Sequence, residues 1–378
     1  MNHQEHPSFF PAIGRIAGAA LALAGALVLP AALAQSASPQ NAAARQISGA
    51  GSTAAQPIYR AWAESWGKSG GVALEYAGVG SSAGLKRMAE GDLDFGASDV
   101  MPSADDVSKR NWVFFPTAVS GAVPVVNLPG VARGRLQLSG ATLAAIYTGQ
   151  ISRWDDATIR AENAGLTLPA LPIVRVVRKE GSGTSFHFSA YLAAVSPAFA
   201  TEVGKASSSP KWPGEPVRAE GSKGIAETVA ATSGAIGYVE FNWVERAKLN
   251  AVRVRNASGQ SVAASTAAFR AAVLASPWMR GDFTAPLTNI AADSAWPITM
   301  PTYVVFPKRA ARAQSTARAV DFFVWSFLHG DDLLDQSAFV RLPDRVQAKA
   351  FGVLLQVTDA QGVPLLKGLP MPVTRGAE

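Results

Sequence analysis

The residues Arg178-Lys-Glu-Gly-Ser-Gly-Thr-Ser185 join an apolar β-type run (Ile173, Val174, Val176, Val177) to an amphipathic helical run (Phe186, Phe188, Tyr191, Leu192, Val195). A strand, a glycine-hydroxyl turn and a helix, in that order, leave several backbone N–H groups without intrahelical partners. Together with the helix dipole, those groups favour a bound anion. Ser182 and Thr184 add hydroxyl donors, and Arg178 adds a planar, permanently charged fork suited to an oxyanion. The same residues also suit an ordinary capped helix, with Ser182 or Thr184 as the N-cap. Repetition separates the two readings. Ile47-Ser-Gly-Ala-Gly-Ser-Thr53 and Gly78-Val-Gly-Ser-Ser-Ala-Gly84 are turns of the same kind, each ahead of its own helical run.

Three such helix starts, one arginine and one acid at a strand end, Asp99, could surround a single small tetrahedral anion with donors. Burying a doubly charged anion requires nearly every ligand oxygen to be paired, because an unpaired buried charge is very costly. Asp99 makes the set selective. A carboxylate repels an anion unless the anion carries a proton to donate to it. Phosphate keeps at least one proton at neutral pH and sulfate keeps none, so the acid penalises sulfate. Leaving that pair unmatched costs roughly 3–5 kcal/mol, at least about a hundredfold in affinity.

The elements that would position these residues alternate. A helix carries Ile58, Trp62 and Trp66 at four-residue spacing and ends near Gly67; Val72, Leu74 and Tyr76 then alternate as a strand. A short helix over Leu85 and Met88 ends at Gly91, and Leu93 and Phe95 form a strand that stops at Gly96-Ala-Ser-Asp99. Ala122 to Leu128 reads as a buried strand, Ala141 to Tyr147 as a helix, and Ile151 to Asp156 as a turn and short helix. A polar loop spans Ser207 to Pro216, and a helix runs from Ile225. Gly234 to Val239 is a strand, Ala267 to Leu274 a helix, Trp296 to Phe306 a strand, and Ala319 to Leu328 the last helix. This βα rhythm predicts a mostly parallel sheet whose ligands sit beyond the carboxyl ends of the strands.

With 378 residues, 48% of them hydrophobic and 16% charged, the chain is long enough for two cored domains. Arg15, the apolar run Ile16 to Leu29 and the small residues Ala32-Leu33-Ala34 read as a secretory signal peptide over residues 1–34, cut before Gln35. A Ser/Ala/Gln-rich linker follows over residues 35–45. The chain has no cysteine, which excludes disulfides and a cysteine-linked lipid anchor; a Gram-negative periplasm is the expected destination. The net charge of +6 comes from scattered bases, a pattern that argues against a nucleic-acid surface but could steer a small anion inward.

Other chemistries find little support. A nucleophilic serine in Gly-Ser-Gly-Thr-Ser needs a base, and of the four histidines His3 and His6 lie in the signal region. His187, one turn inside a helix, reads as a surface or packing residue, and His329 sits at a helix end before Gly330. A phosphate-transferring loop would need a Gly-Lys-Ser/Thr ending, and no lysine stands there in Gly181-Ser-Gly-Thr-Ser185. The acid pairs Asp155-Asp156 and Asp331-Asp332 read as turn or cap residues, so neither a metal nor a cofactor is expected. Most of the nine tryptophans fall in apolar runs and read as core. A secreted phosphatase or serine hydrolase is therefore the minor alternative.

The chain resembles the periplasmic phosphate-binding proteins of the high-affinity phosphate ABC transporter. The resemblance runs from Ile47 to about Val346. It rests on Gly49-Ala-Gly-Ser-Thr53, Gly78-Val-Gly-Ser-Ser82, Asp94-Phe-Gly-Ala-Ser-Asp99, Arg178 with Gly181-Ser-Gly-Thr-Ser185, Gly234-Ala-Ile-Gly-Tyr238 and Ala295-Trp-Pro-Ile-Thr299. It implies an α/β fold of the type II, two-lobed periplasmic binding protein class. Each lobe would be a mostly parallel sheet flanked by helices, and two crossing hinge strands would join them near Thr117 to Ser120 and Thr299 to Thr302. The lobes implied are residues 46–118 with 300–361, and residues 119–299, with a C-terminal tail over 362–378. The ligand set implied for inorganic phosphate is Thr53, Ala54, Ser81, Asp99, Arg178, Ser182, Gly183 and Thr184, with Glu180 orienting Arg178. The family often has an aromatic residue followed by proline where this chain has Ala54-Ala-Gln-Pro57. If the contribution there is a backbone N–H, it survives the exchange. The partners implied are the permease and ATPase of an inner-membrane transporter, served by a monomer that is not an enzyme. The same fold would also accommodate another oxyanion such as phosphonate, arsenate or sulfate.

Overall fold

The computed structural model describes residues 46–366. The expected signal peptide, the linker and the tail beyond residue 366 lie outside the described residues. Among the described residues, no helix is long and apolar enough to cross a membrane.

The first third is built from strand β1 (Gln46–Gly51), helix α1 (Gln56–Lys68), strand β2 (Ala73–Gly78), helix α2 (Ser81–Glu90) and strand β3 (Phe95–Ser98). β1 lies between β2 and β3 and is parallel to both. The second parallel group is formed by β5 (Val174–Arg178), β6 (Val217–Ala219) and β7 (Ala235–Glu240), with helices α3 (Gly183–Val195) and α4 (Gly221–Ala231). Two long antiparallel strands, β4 (Trp112–Val126) and β8 (Thr299–Pro307), lie between the groups and give the order β2-β1-β3-β8-β4-β7-β5-β6. A separate three-stranded sheet contains residues 137–138, 253–255 and 261–262.

β4 makes the single sheet possible because its partners change along its length. Residues Trp112 to Gly121 pair with β8, and Ala122 to Val126 pair with β7. Its sequence is apolar almost throughout and buried on both faces, as a central strand requires. Proline cannot donate to a ladder, and at Pro116 the register with β8 shifts between Thr302 and Tyr303, leaving Thr117 as the extra residue of a bulge. The segments 117–120 and 299–302, expected to be the crossings, pair with each other in this stretch.

Each parallel group carries its own aromatic cluster. Tyr59, Tyr76, Phe95, Phe115, Phe306 and Phe323 pack together in the first, with the rings of Phe95 and Phe323 4.9 Å apart. In the second, Phe188 stacks on Tyr238 at 4.4 Å beside Tyr147 and Trp212. Trp62, Trp154 and Trp296 are fully buried and donate their indole N–H groups to backbone carbonyls, as expected of core tryptophans.

Two expectations need correction. The strand read as starting at Ala122 starts at Trp112, because Pro116 and Gly121 interrupt the local apolar pattern without interrupting the ladder. The helix read as the last, now α5 (Ala313–His329), is followed by two more, over Asp331–Gln336 and over α6 (Asp344–Leu354). Their charged outer faces hide a buried stripe of Val346, Ala350, Phe351 and Leu354. Between those helices, Val340 exchanges backbone hydrogen bonds with Val119, so this late segment braces β4 where it leaves β8 for β7.

Candidate functional site

The carboxyl ends of both parallel groups meet, and three of the strands that end there run into a charge. β3 runs into Asp99, β5 ends in Arg178 and β7 ends in Glu240. All three are buried. Such charges persist away from water only when other polar groups answer them.

Asp99 is held by hydroxyls. Ser52 donates to its two oxygens at 2.6 and 2.8 Å, and Thr302 of β8 donates to Oδ1 at 2.7 Å. Ser81, the first residue of α2, contacts Oδ2 at 3.4 Å and accepts from the Asp99 backbone N–H at 3.1 Å. Burial raises the carboxyl to about 6, against the lowering effect of the Ser52 and Thr302 hydrogen bonds; nearby Glu240 raises it further and Arg178 lowers it. The acid therefore stays mostly ionised at neutral pH, within reach of a proton-bearing ligand.

Arg178 is almost entirely buried and forms an ion pair with Glu180, which accepts from its Nε at 2.7 Å and from a terminal nitrogen. Glu180 also accepts from the Gly221 backbone N–H at 3.2 Å. The expectation that Glu180 orients Arg178 matches this geometry. The remaining guanidinium nitrogen donates to Ser222 Oγ at 3.2 Å and lies 3.9 Å from Glu240 Oε1.

The glycine-hydroxyl turns are where the sequence puts them. Ser182 caps α3, accepting from the Ser185 N–H at 3.3 Å, and Gly183 and Thr184 form its first turn. Gly183 faces the other parallel group so closely that a Cβ there would come within 2.4 Å of the Asp99 side chain and 2.9 Å of Ser81 Oγ. No side chain fits, and only glycine lets this helix start approach the carboxylate. Thr53, ahead of α1, reaches across to Ser222 Oγ at 3.2 Å and Glu240 Oε1 at 3.4 Å. Ala54 is buried, and its carbonyl accepts from Asn242 at 3.3 Å. All eight predicted residues thus lie along the junction of the two groups: Thr53, Ala54, Ser81 and Asp99 on one side, and Arg178, Ser182, Gly183 and Thr184 on the other.

Five further residues belong to the same network and were not singled out as site residues: Ser52, Thr302, Ser222, Glu240 and His187. Ser222 opens α4 in Gly221-Ser222, a fourth glycine-hydroxyl helix start that the sequence displays. Glu240 ends an apolar strand as Asp99 and Arg178 do, and that shared position is the signal for it. His187 is no surface residue. It is buried, and its Nε2 lies 2.6 Å from the Asp99 carbonyl across the junction, so it packs and bonds.

The described residues contain no group of His, Cys, Asp and Glu able to hold a metal. The buried donors and acceptors instead suit one small polar anion.

A family model described as a PBP superfamily domain matches residues 36–326. A phosphate-binding protein PstS of Xylella fastidiosa (strain Temecula1) is 37% identical over 299 residues, covering 79% of this chain and 82% of its own. The chain belongs to the PstS family of the PBP superfamily. Another PstS, from Pasteurella multocida, is 35% identical over 308 residues, covering 81% of this chain and 89% of its own. Among solved structures, a high-affinity periplasmic phosphate-binding protein (PfluDING) bound with phosphate superimposes with a TM-score of 0.64 at 22% identity, over 81% of this chain and 93% of its own. A phosphate-binding protein from Stenotrophomonas maltophilia gives 0.62 at 21%, with the same coverages. These two likenesses are of fold, and the fold is the α/β, two-lobed one that the sequence predicts.

Proposed function

We propose that this PstS-family chain binds inorganic phosphate between its two lobes and delivers it to the permease and ATPase of an inner-membrane ABC transporter. The observation that carries the reading is Asp99: a buried carboxylate facing helix starts and an arginine, in a site otherwise rich in donors. Such an acid is tolerable beside an anion only if the anion brings a proton, which phosphate does and sulfate does not. The names of the relatives, all binding proteins, support the same ligand and a non-enzymatic role.

The ligand set is Thr53, Ala54, Ser81 and Asp99 from the first lobe and Arg178, Ser182, Gly183 and Thr184 from the second. The first lobe comprises residues 46–118 and 300–361, and the second residues 119–299. Hinge bending near 117–120 and 299–302 closes one lobe on the other, and the closed form docks on the permease. The chain works as a monomer in the periplasm, exported by a cleavable signal. Calorimetric titration with phosphate, sulfate and a phosphonate tests this reading. Tight one-to-one phosphate binding supports it, and a preference for the phosphonate would reassign the ligand to another phosphorus oxyanion.

A further inference from the structure

A chain of buried hydrogen bonds ends on the Asp99 carboxylate. Thr302 Oγ1 donates to Asp99 Oδ1 at 2.7 Å, Thr117 Oγ1 donates to the Thr302 carbonyl at 3.2 Å, and the Tyr59 hydroxyl lies 2.9 Å from Thr117 Oγ1. Tyr59, Thr117, Thr302 and Asp99 are all buried. A carboxylate and a carbonyl only accept, and a hydroxyl has a single proton. The direction of every bond is thereby fixed: Thr117 gives its proton to Thr302, so Tyr59 donates to Thr117. Thr117 is the extra residue of the β4 bulge, and Thr302 stands on β8 beside the register shift. An ideal ladder has no place for Thr117, and the bulge brings its hydroxyl onto the Thr302 carbonyl.

We propose that Thr302 is a positioning residue for anion selection: anchored by Thr117 and Tyr59 at the bulge, it holds the Asp99 carboxylate aimed at the ligand and in its ionised form. This rests on the phosphate reading above and on the part that Asp99 plays in it. Threonine is stiff about its first side-chain bond, and the bond from Thr117 fixes the backbone that carries it. A hydrogen bond to the ionised form favours that form, so Thr302 opposes the effect of burial on Asp99. Sulfate carries no proton and is rejected only while Asp99 is ionised; a protonated Asp99 can donate to a sulfate oxygen and would admit it. Thr117 and Thr302 lie in the segments 117–120 and 299–302, so the same chain ties the hinge proposed above to the group that selects the ligand. The other ionisable groups near Asp99 are Arg178, Glu240, the phenols of Tyr59 and Tyr76, and His187 at its backbone carbonyl.

The test uses Thr302→Val, which keeps the shape and removes the donor, and Thr302→Ser, which keeps the donor and removes the methyl. Carbon-13 NMR of aspartate-labelled protein without ligand reads the Asp99 carboxyl directly, its signal identified by its loss in Asp99→Asn. From about 6, the titration midpoint is expected to move up by about one pH unit in Thr302→Val and to stay near the wild-type position in Thr302→Ser. Such a move raises the protonated fraction at neutral pH about fivefold. The ratio of the sulfate to the phosphate dissociation constant, from calorimetric competition at neutral pH, should therefore fall about fivefold in Thr302→Val. Thr117→Val is expected to change both readings in the same direction and by less. A packing role alone would reverse the pattern, with serine the more harmful exchange and valine the harmless one. That reversed pattern, or an unmoved midpoint in a folded Thr302→Val, would overturn the proposal, and a wild-type result for Thr117→Val would overturn the link to the hinge. If Thr302→Val does not fold, the serine and Thr117 variants decide by the same readings. Wild type that takes sulfate as readily as phosphate would instead overturn the selectivity reading, whatever the carboxyl signal shows.

Discussion

His187 and Asp99 are joined across the junction of the two parallel groups, the histidine Nε2–H donating to the aspartate backbone carbonyl at 2.6 Å. That bond fixes the tautomer, and Nδ1 is buried without a partner. Burial lowers the imidazole from its ordinary 6.5 to about 4, and the bond to the Asp99 carbonyl only partly offsets this.

Closure should consequently depend on pH. A group whose pKa falls on burial binds fewer protons in the buried state, so its contribution is full above the solvent-exposed value and is lost as pH falls. The window runs from 6.5 down to about 4. Phosphate affinity of the wild type should drop roughly tenfold or more between neutral pH and about pH 5, relative to His187→Gln, which keeps a donor without a titrating ring. Asp99, raised to about 6, works in the opposite sense but is present in both proteins. Equal pH profiles would mean that the lobes close without burying this histidine.

The carboxylate of Asp99 should set selectivity rather than bulk affinity. Asp99→Asn should retain phosphate binding while sulfate binding strengthens by up to about a hundredfold, the roughly 3–5 kcal/mol cost of an unmatched buried charge. Unchanged discrimination, measured by competition of sulfate against phosphate, would refute the role given to this side chain.

Gly183 separates closing from folding. A methyl group there would sit within 2.4 Å of the Asp99 side chain and 2.9 Å of Ser81 Oγ, contacts made only between the two groups. Within its own helix the position is an ordinary first turn. Gly183→Ala should therefore weaken phosphate binding by about a hundredfold or more, while the thermal midpoint without ligand moves by only a few degrees. A variant that binds normally would show that the lobes do not approach this closely around the ligand.

Arg178 should be the largest single contributor. Arg178→Ala removes about two charge-assisted bonds and should cost ~3–6 kcal/mol of phosphate binding. Glu180→Gln should cost less, because the guanidinium stays but loses the ion pair that aims it. Titration of both variants gives the ranking, and a Glu180 variant weaker than the arginine variant would reverse the assignment.

The parts of the site that the sequence displays are those made by neighbours in the chain. Ser182 to Thr184, Gly80-Ser81 and Ser52-Thr53 each announce themselves by a glycine and a hydroxyl ahead of a helix, so their roles are local and readable. Thr302 and Glu240 are different. Thr302 reaches Asp99 only because β8 lies antiparallel to β3, a pairing between residues 203 positions apart in the chain. Glu240 meets Thr184 only because β7 is parallel to β5 in the middle of the second group. The core tryptophans and most strands follow from apolar spacing, whereas the first ten residues of β4 were obscured by Pro116 and Gly121, which the bulge and the close ring of Phe269 explain. His187 shows the same limit: nothing in its helix marks it as a bridge, because its partner is a backbone carbonyl at the end of the other parallel group.

The measurement that decides most is calorimetric titration of the ligand-stripped protein, from Gln35 onward, with phosphate and then sulfate at neutral pH and moderate salt. One-to-one phosphate binding with negligible heat from sulfate is the predicted result, and it would establish both the ligand and the part played by Asp99. Comparable binding of the two anions would contradict the proton-based selection, and binding of neither would contradict the proposed function.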